Sequence, residues 1–93
     1  RVYTSTELED CRGRAPALAA RFAAKEAVAK TLGTGLGEIR WQEIEIRPDP
    51  YGKPLLHLHG KARARAEALG LRHFALSLSH SRDYALAFVV ASG

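Results

Sequence analysis

The sequence predicts an α+β domain, an antiparallel sheet packed against one long helix. Over 16–32 the apolar residues Leu18, Phe22, Val28, Ala29 and Leu32 recur at helical spacing and share one face. Over 41–47 and 55–59, two short alternating runs flank a segment dense in proline, aspartate and glycine. Over 74–79 and 84–90 two further runs alternate large with small side chains around a polar turn.

In chain order, Thr4 and Glu7 have the spacing of a capping box and start a short helix over about 5–12. Gly13 breaks it between Arg12 and Arg14. Together with Arg21, these cations form either a solvated basic surface or a docking surface. Pro16 suits the first turn of the long helix over 16–32, and Gly33 suits its C-terminal cap. After a loop over 33–37, the first strand points Ile44 and Ile46 one way and Glu43 and Glu45 the other. In the second strand Leu56 and Leu58 mark the core face, with His57 and His59 opposite. That His-x-His pair is read as exposed strand histidines, since no third histidine or cysteine stands at a metal-binding spacing. Gly60 and Gly70 bracket a third helix whose narrow apolar stripe is Ala62, Ala66 and Leu69. In the closing hairpin Phe74, Leu76 and Leu78, with Tyr84, Leu86, Phe88 and Val90, form the bulky face expected to meet the helices. The small opposite face would admit a second layer, such as another subunit.

A chain of 93 residues holds at most one domain, and one of this size buries about 60–65% of its unfolded surface. Its 46% hydrophobic and 26% charged residues are those of an ordinary globular protein. No apolar run approaches the roughly 20 residues of a membrane span. The single Cys11 rules out an internal disulfide and fits a reducing compartment, so a cytoplasmic protein without membrane contact is expected. A net charge of +4 favours an anionic partner, for which nucleic acid, nucleotide and acidic protein all qualify.

Two clusters carry candidate chemistry. Glu26 and Lys30 lie one turn apart on a helix face otherwise lined by Ala19 and Ala23. Lys25 falls inside the apolar stripe, where an ammonium must snorkel out or meet an anion. One carboxylate, two lysines and Gly33-Thr34-Gly35 are suitable parts for holding a metal ion and a polyphosphate, although Glu26–Lys30 also reads as an ordinary surface pair. In the hairpin turn, Ser79, His80, Ser81 and Arg82 can all donate hydrogen bonds to phosphate oxygens, although such residues also populate turns for structural reasons.

The segments RFAAKEAVAKTLGTG at 21–35, GKP at 52–54 and LSLSHSRDYALAFVVA at 76–91 together resemble the bacterial holo-acyl-carrier-protein synthases, the short trimeric class of 4'-phosphopantetheinyl transferase. The resemblance spans nearly the whole chain, with the motifs in the family's order. It implies a magnesium-dependent enzyme that moves phosphopantetheine from coenzyme A to a serine of apo acyl carrier protein, in fatty acid or polyketide synthesis. It also implies a homotrimer with active sites between subunits. By the same resemblance Glu26 is the metal-binding glutamate, with a second role in deprotonating the serine, and Lys30 faces the pyrophosphate. Lys25 becomes a phosphate contact, Ser79, His80 and Ser81 meet the 3'-phosphate, and Lys53 and Pro54 line the nucleotide pocket. Thr34 and Gly35 shape the wall beside the phosphates.

The family also begins with a G-x-D strand whose aspartate is the metal's other protein ligand, and a basic carrier-docking helix follows near the N-terminus. This sequence lacks that strand and the start of the first helical region, and with it most of the docking helix, and Glu7, Glu9 and Asp10 have the wrong context to replace the aspartate. The expectation is a single transferase domain over 1–93, a piece of a longer chain or one completed by another polypeptide. A coenzyme A-binding but catalytically incomplete fragment is the rival that follows. A basic nucleic-acid-binding module is the other, and it would want aromatics interleaved with cations on an open face. Here Phe74, Tyr84 and Phe88 alternate with aliphatics and read as core.

Overall fold

The computed structural model describes residues 2–33, 39–81 and 83–93. Its elements follow the order α1 (Ser5–Cys11), α2 (Ala15–Leu32), a 3₁₀ turn (Trp41–Glu43), β1 (Ile44–Pro48), β2 (Pro54–Leu58), α3 (Gly60–Ala68), β3 (His73–His80) and β4 (Ala85–Ser92). The capping box is formed: Glu7 N donates to Thr4 Oγ1 at 3.1 Å, and Thr4 N donates to Glu7 Oε1 at 2.9 Å. Left-handed backbone at Arg12 ends α1, and Gly33, with φ of 70°, caps α2 as the glycine pattern predicts.

The expected antiparallel pairing holds, divided into two ladders: β1 pairs with β2 and β3 with β4. Ile44, Ile46, Val28, Leu32, Ala62, Ala66 and Leu76 are buried between these ladders and the helices, with Leu56, Leu58 and Phe74 packed against them.

Four expectations are corrected. The strand expected over 41–47 starts only at Ile44, because the Trp41 carbonyl is taken by the Lys25 ammonium at 2.9 Å and the Glu43 carboxylate turns to Ala62 N at 3.1 Å. Trp41 instead packs edge-on against Phe22, with ring centroids 5.0 Å apart. His59 stands outside β2 as the N-cap residue of α3, and its N–H donates to the Glu43 carbonyl. Leu69 caps the end of α3 and stays 44% exposed, so Ala62 and Ala66 alone make the buried stripe.

The fourth correction concerns β4. Its bulky residues point away from the helices: Tyr84, just before the strand, and Leu86, Phe88 and Val90 within it are all more than half exposed. Ala87 and Val89 pack on the core instead. The reason is the surface of α2, which buries Ala20, Ala24 and Ala29, so helix and strand approach closely only through small side chains. On the outer face, Leu86, Phe88 and Val90 stand across from Ser79, Ser77 and Ala75. These neighbours are uncharged, so the exposed aromatics lack the interleaved cations of a nucleic-acid surface.

Candidate active site

Glu26 and Lys30 project from α2 and are exposed, as the helical spacing predicts. Ala19 lies two turns before Glu26 on the same stripe. Ala19 also lines a cleft of about 210 Å³ with Ala15, Pro16, Ser81, Asp83 and Tyr84. A second cleft, about 370 Å³, places His80 against Arg14, Ala15, Pro16 and Ala17. The turn after β3 therefore sits on the start of the stripe that carries Glu26 and Lys30. Seven residues at ~1.5 Å rise put Ala19 about 10 Å from Glu26 along the helix axis, a span that an extended nucleotide bearing phosphates at both ends can bridge.

Ser79 and His80 end β3, exposed and opposite Leu86 and Ala85. Ser81 is held by its backbone, its N–H donating to the Tyr84 carbonyl at 2.9 Å, while its hydroxyl accepts from Asp83 N at 3.2 Å. Lys53 is exposed at the tip of the β1–β2 hairpin, where Asp49 Oδ1 accepts from both Tyr51 N and Lys53 N at 2.8 Å, and Pro54 opens β2 half-buried. Lys25 bonds the Ile44 carbonyl and Arg21 the Ile46 carbonyl, so β1 runs back along α2 and carries this tip toward the end that His80 and Ser81 occupy. Thr34 and Gly35 lie outside the described residues. A larger cavity of about 500 Å³, lined by Leu56, Leu58, Arg63, Arg72 and Phe74 among others, shares no lining residue with the two clefts beside α2.

Lys25 departs from its expected place at a phosphate. It is fully buried, and its Nζ lies 2.9 Å from Glu7 Oε1, a carboxylate equally buried. The Trp41 and Ile44 carbonyls accept its other hydrogen bonds, so all three N–H donors are engaged within the protein. Burial pushes its pKa below the ordinary lysine value, while the hydrogen bond and charge of Glu7 pull the other way. The sequence places Glu7 only in the capping box, and its pairing with Lys25 was missed. The signal was present, since a lysine in an apolar stripe demands an anion, but the pairing is long-range.

A second long-range cluster surrounds Glu45. Its Oε2 accepts from the hydroxyls of Thr4, at 2.7 Å, and Thr6, while Oε1 lies 3.0 Å from His59 Nε2. Burial would raise this carboxyl, but the bonds from Thr6, Thr4 and His59 outweigh it and hold the pKa at about 2. His59 is therefore committed to Glu45, while His57 is exposed. Among the described residues no group of three or more His, Cys, Asp or Glu side chains is arranged to hold a metal. The outward carboxylate of Glu26 still suits magnesium, which takes one or two protein carboxylates and completes its shell with substrate phosphates and water.

A family model described as the 4'-phosphopantetheinyl transferase superfamily matches residues 1–89. The chain belongs to this superfamily. It is 55% identical over 100 aligned residues to the holo-[acyl-carrier-protein] synthase of Herpetosiphon aurantiacus, an alignment covering 100% of this chain and 79% of that protein. Identity to the Dehalococcoides mccartyi holo-[acyl-carrier-protein] synthase is 50%, over 98% of this chain and 76% of the relative. The Helicobacter pylori holo-[acyl-carrier-protein] synthase, crystallised in complex with coenzyme A, superposes with a TM-score of 0.86 at 30% identity, over 99% of this chain and 78% of that one. The Neisseria meningitidis synthase superposes at 0.85 with 38% identity, covering 100% and 78%. These superfamily members share the fold over almost all of the present chain.

Proposed function

We propose that this superfamily member acts as a holo-[acyl-carrier-protein] synthase in the cytoplasm. A serine hydroxyl of apo acyl carrier protein attacks the β-phosphate of coenzyme A. The phosphorus–oxygen bond to the α-phosphate breaks, giving phosphopantetheinyl-serine and adenosine 3',5'-bisphosphate. The observation that carries this reading is the shared stripe on α2, with Ser81 at its start and Glu26 and Lys30 two to three turns on. That layout suits a ligand with a 3'-phosphate at one end and a pyrophosphate further along.

In this reading Ser79, His80 and Ser81 hold the 3'-phosphate, and Lys53 and Pro54 border the nucleotide. Lys30 neutralises pyrophosphate charge, with Thr34 and Gly35 beside it. Glu26 supplies a carboxylate to the metal and takes the serine proton, directly or through water. Magnesium, when bound, would polarise the phosphates and offset charge on the departing bisphosphate. Phosphoryl transfer asks mainly for positioning and charge compensation, which these side chains provide. The basic charge of the chain attracts both the anionic coenzyme and an acidic carrier protein. The exposed face of Leu86, Phe88 and Val90 is the contact through which a homotrimer forms, with the active sites between subunits.

The test is the intact mass of apo acyl carrier protein after incubation with the chain, coenzyme A and magnesium. Addition of one phosphopantetheine is expected, with none from Glu26→Ala. No addition from this chain, and none from one extended N-terminally through a G-x-D strand, would overturn the assignment.

A further inference from the structure

The residue before Glu26 is a fully buried charge held by three partners from separate elements. Lys25 Nζ is anchored at three points: Glu7 Oε1 on α1, the Trp41 carbonyl in the 3₁₀ turn and the Ile44 carbonyl at the start of β1. Glu7 is anchored as firmly, Oε1 accepting from Thr4 N at 2.9 Å and Oε2 from Ile46 N at 2.8 Å. Val28, Leu32 and Phe22 also pack α2 in place, but its other buried apolar residues are only Ala20, Ala24 and Ala29. Such short side chains give few interlocking contacts, whereas a directional hydrogen-bonded ion pair has one good geometry. The consequence reaches Glu26 through one peptide bond. A helix turn of about 20° would move a carboxylate held about 6 Å from the axis by about 2 Å, and a displacement of about 1 Å can cost a reaction about 100-fold.

We propose that the Glu7–Lys25 pair is a positioning device for Glu26, specifying the rotation of α2 and hence where the metal-binding carboxylate stands. This rests on the transferase reading of Glu26 above. Lys25 then acts through Glu26 rather than through substrate.

The experiment is Mn²⁺ binding by isothermal titration calorimetry in the presence of coenzyme A without carrier protein, alongside steady-state kinetics and urea denaturation. The principal variant is the double substitution Glu7→Gln, Lys25→Met. It removes both charges together and leaves an amide that can accept from Ile46 N and donate to a freed carbonyl. A folded double variant is expected to bind Mn²⁺ at least about 10-fold more weakly and to lose about 100-fold in kcat, with KM for coenzyme A little changed. Parental Mn²⁺ affinity and kcat in that folded variant would overturn the proposal. Should it fail to fold, Lys25→Arg keeps the charge but changes the length of the anchor. Weakened Mn²⁺ binding in folded Lys25→Arg supports the proposal, and parental binding defeats it. In parallel, Glu26→Ala in the otherwise parental chain tests the underlying reading, since unchanged Mn²⁺ affinity there would remove the carboxylate from the metal site altogether.

Discussion

Phe88 stands directly across from Ser77 in the β3–β4 ladder, and both side chains face away from α2. With 69% of its surface exposed, Phe88 lies at the centre of an apolar row that Leu86 and Val90 extend on either side. Rows of this kind on an antiparallel ladder are characteristic of surfaces covered by another protein chain. If the proposed homotrimer forms through this face, Phe88→Asp is expected to give a monomer in light scattering coupled to size exclusion, with the helical circular dichroism retained. An unchanged mass would take this face out of the interface.

His80 gives a ligand-selective expectation. If its imidazole meets the 3'-phosphate, His80→Ala should weaken coenzyme A binding about 10- to 100-fold, the range for losing a hydrogen bond to a charged group. Affinity for dephospho-coenzyme A, which lacks that phosphate, should barely move. Equal loss for both ligands would place His80 elsewhere.

The Glu45 cluster sets an acid limit. Its carboxyl is held at about 2 in the folded protein against an ordinary value of 4.5, so the unfolded chain takes up the proton first as pH falls. The stabilisation is complete above about pH 4.5 and is lost as pH drops through the folded value. It is on the order of 3 kcal/mol. Thr6→Val removes one of the hydroxyl donors and should raise the midpoint of acid unfolding, followed by tryptophan fluorescence. An unmoved midpoint would mean that Thr6 does not stabilise the ionised form.

Gly60 opens α3 with φ of 54°, and a Cβ there would lie 3.2 Å from Glu43 Cδ. The Glu43 carboxylate at that point accepts from Ala62 N and caps the helix in place of the His59 side chain, which makes no cap bond. Gly60→Ala combines left-handed strain with displacement of the cap and is expected to cost about 1–3 kcal/mol. Calorimetry should register a Tm lower by about 4 °C or more. A Tm equal to the parent would show that neither strain nor cap matters.

Much of this layout was legible in the sequence because its signals are local. The capping box of Thr4 and Glu7, Pro16 near the start of α2 and Gly33 at its end each act over a few residues. The outward placing of Glu26 and Lys30 follows from a period of 3.6 residues. The resemblance carried by the motifs around Glu26, Gly52 and His80 named the family that the matching family model supports. The partner of Lys25 was not legible, because Glu7 lies on a different helix and its pairing with Lys25 is made only when α1, α2 and β1 pack. Arg65 is similar: its Nε donates to the Leu32 carbonyl and helps finish α2, a contact that no spacing rule connects.

By itself, then, the sequence determined where α1 and α2 begin and end, that the strands alternate, and which polar residues are chemically suited to a phosphate ligand. Only the tertiary structure decided which side of β4 faces inward, because a two-residue period defines two faces without ranking them. The alanine surface of α2 selected Ala87 and Val89 by close approach and turned Phe88 outward. It also decided that Lys25 belongs to the interior, since a buried charge is tolerated only where an opposite charge and carbonyl acceptors converge on it, and those arrive from three separate elements.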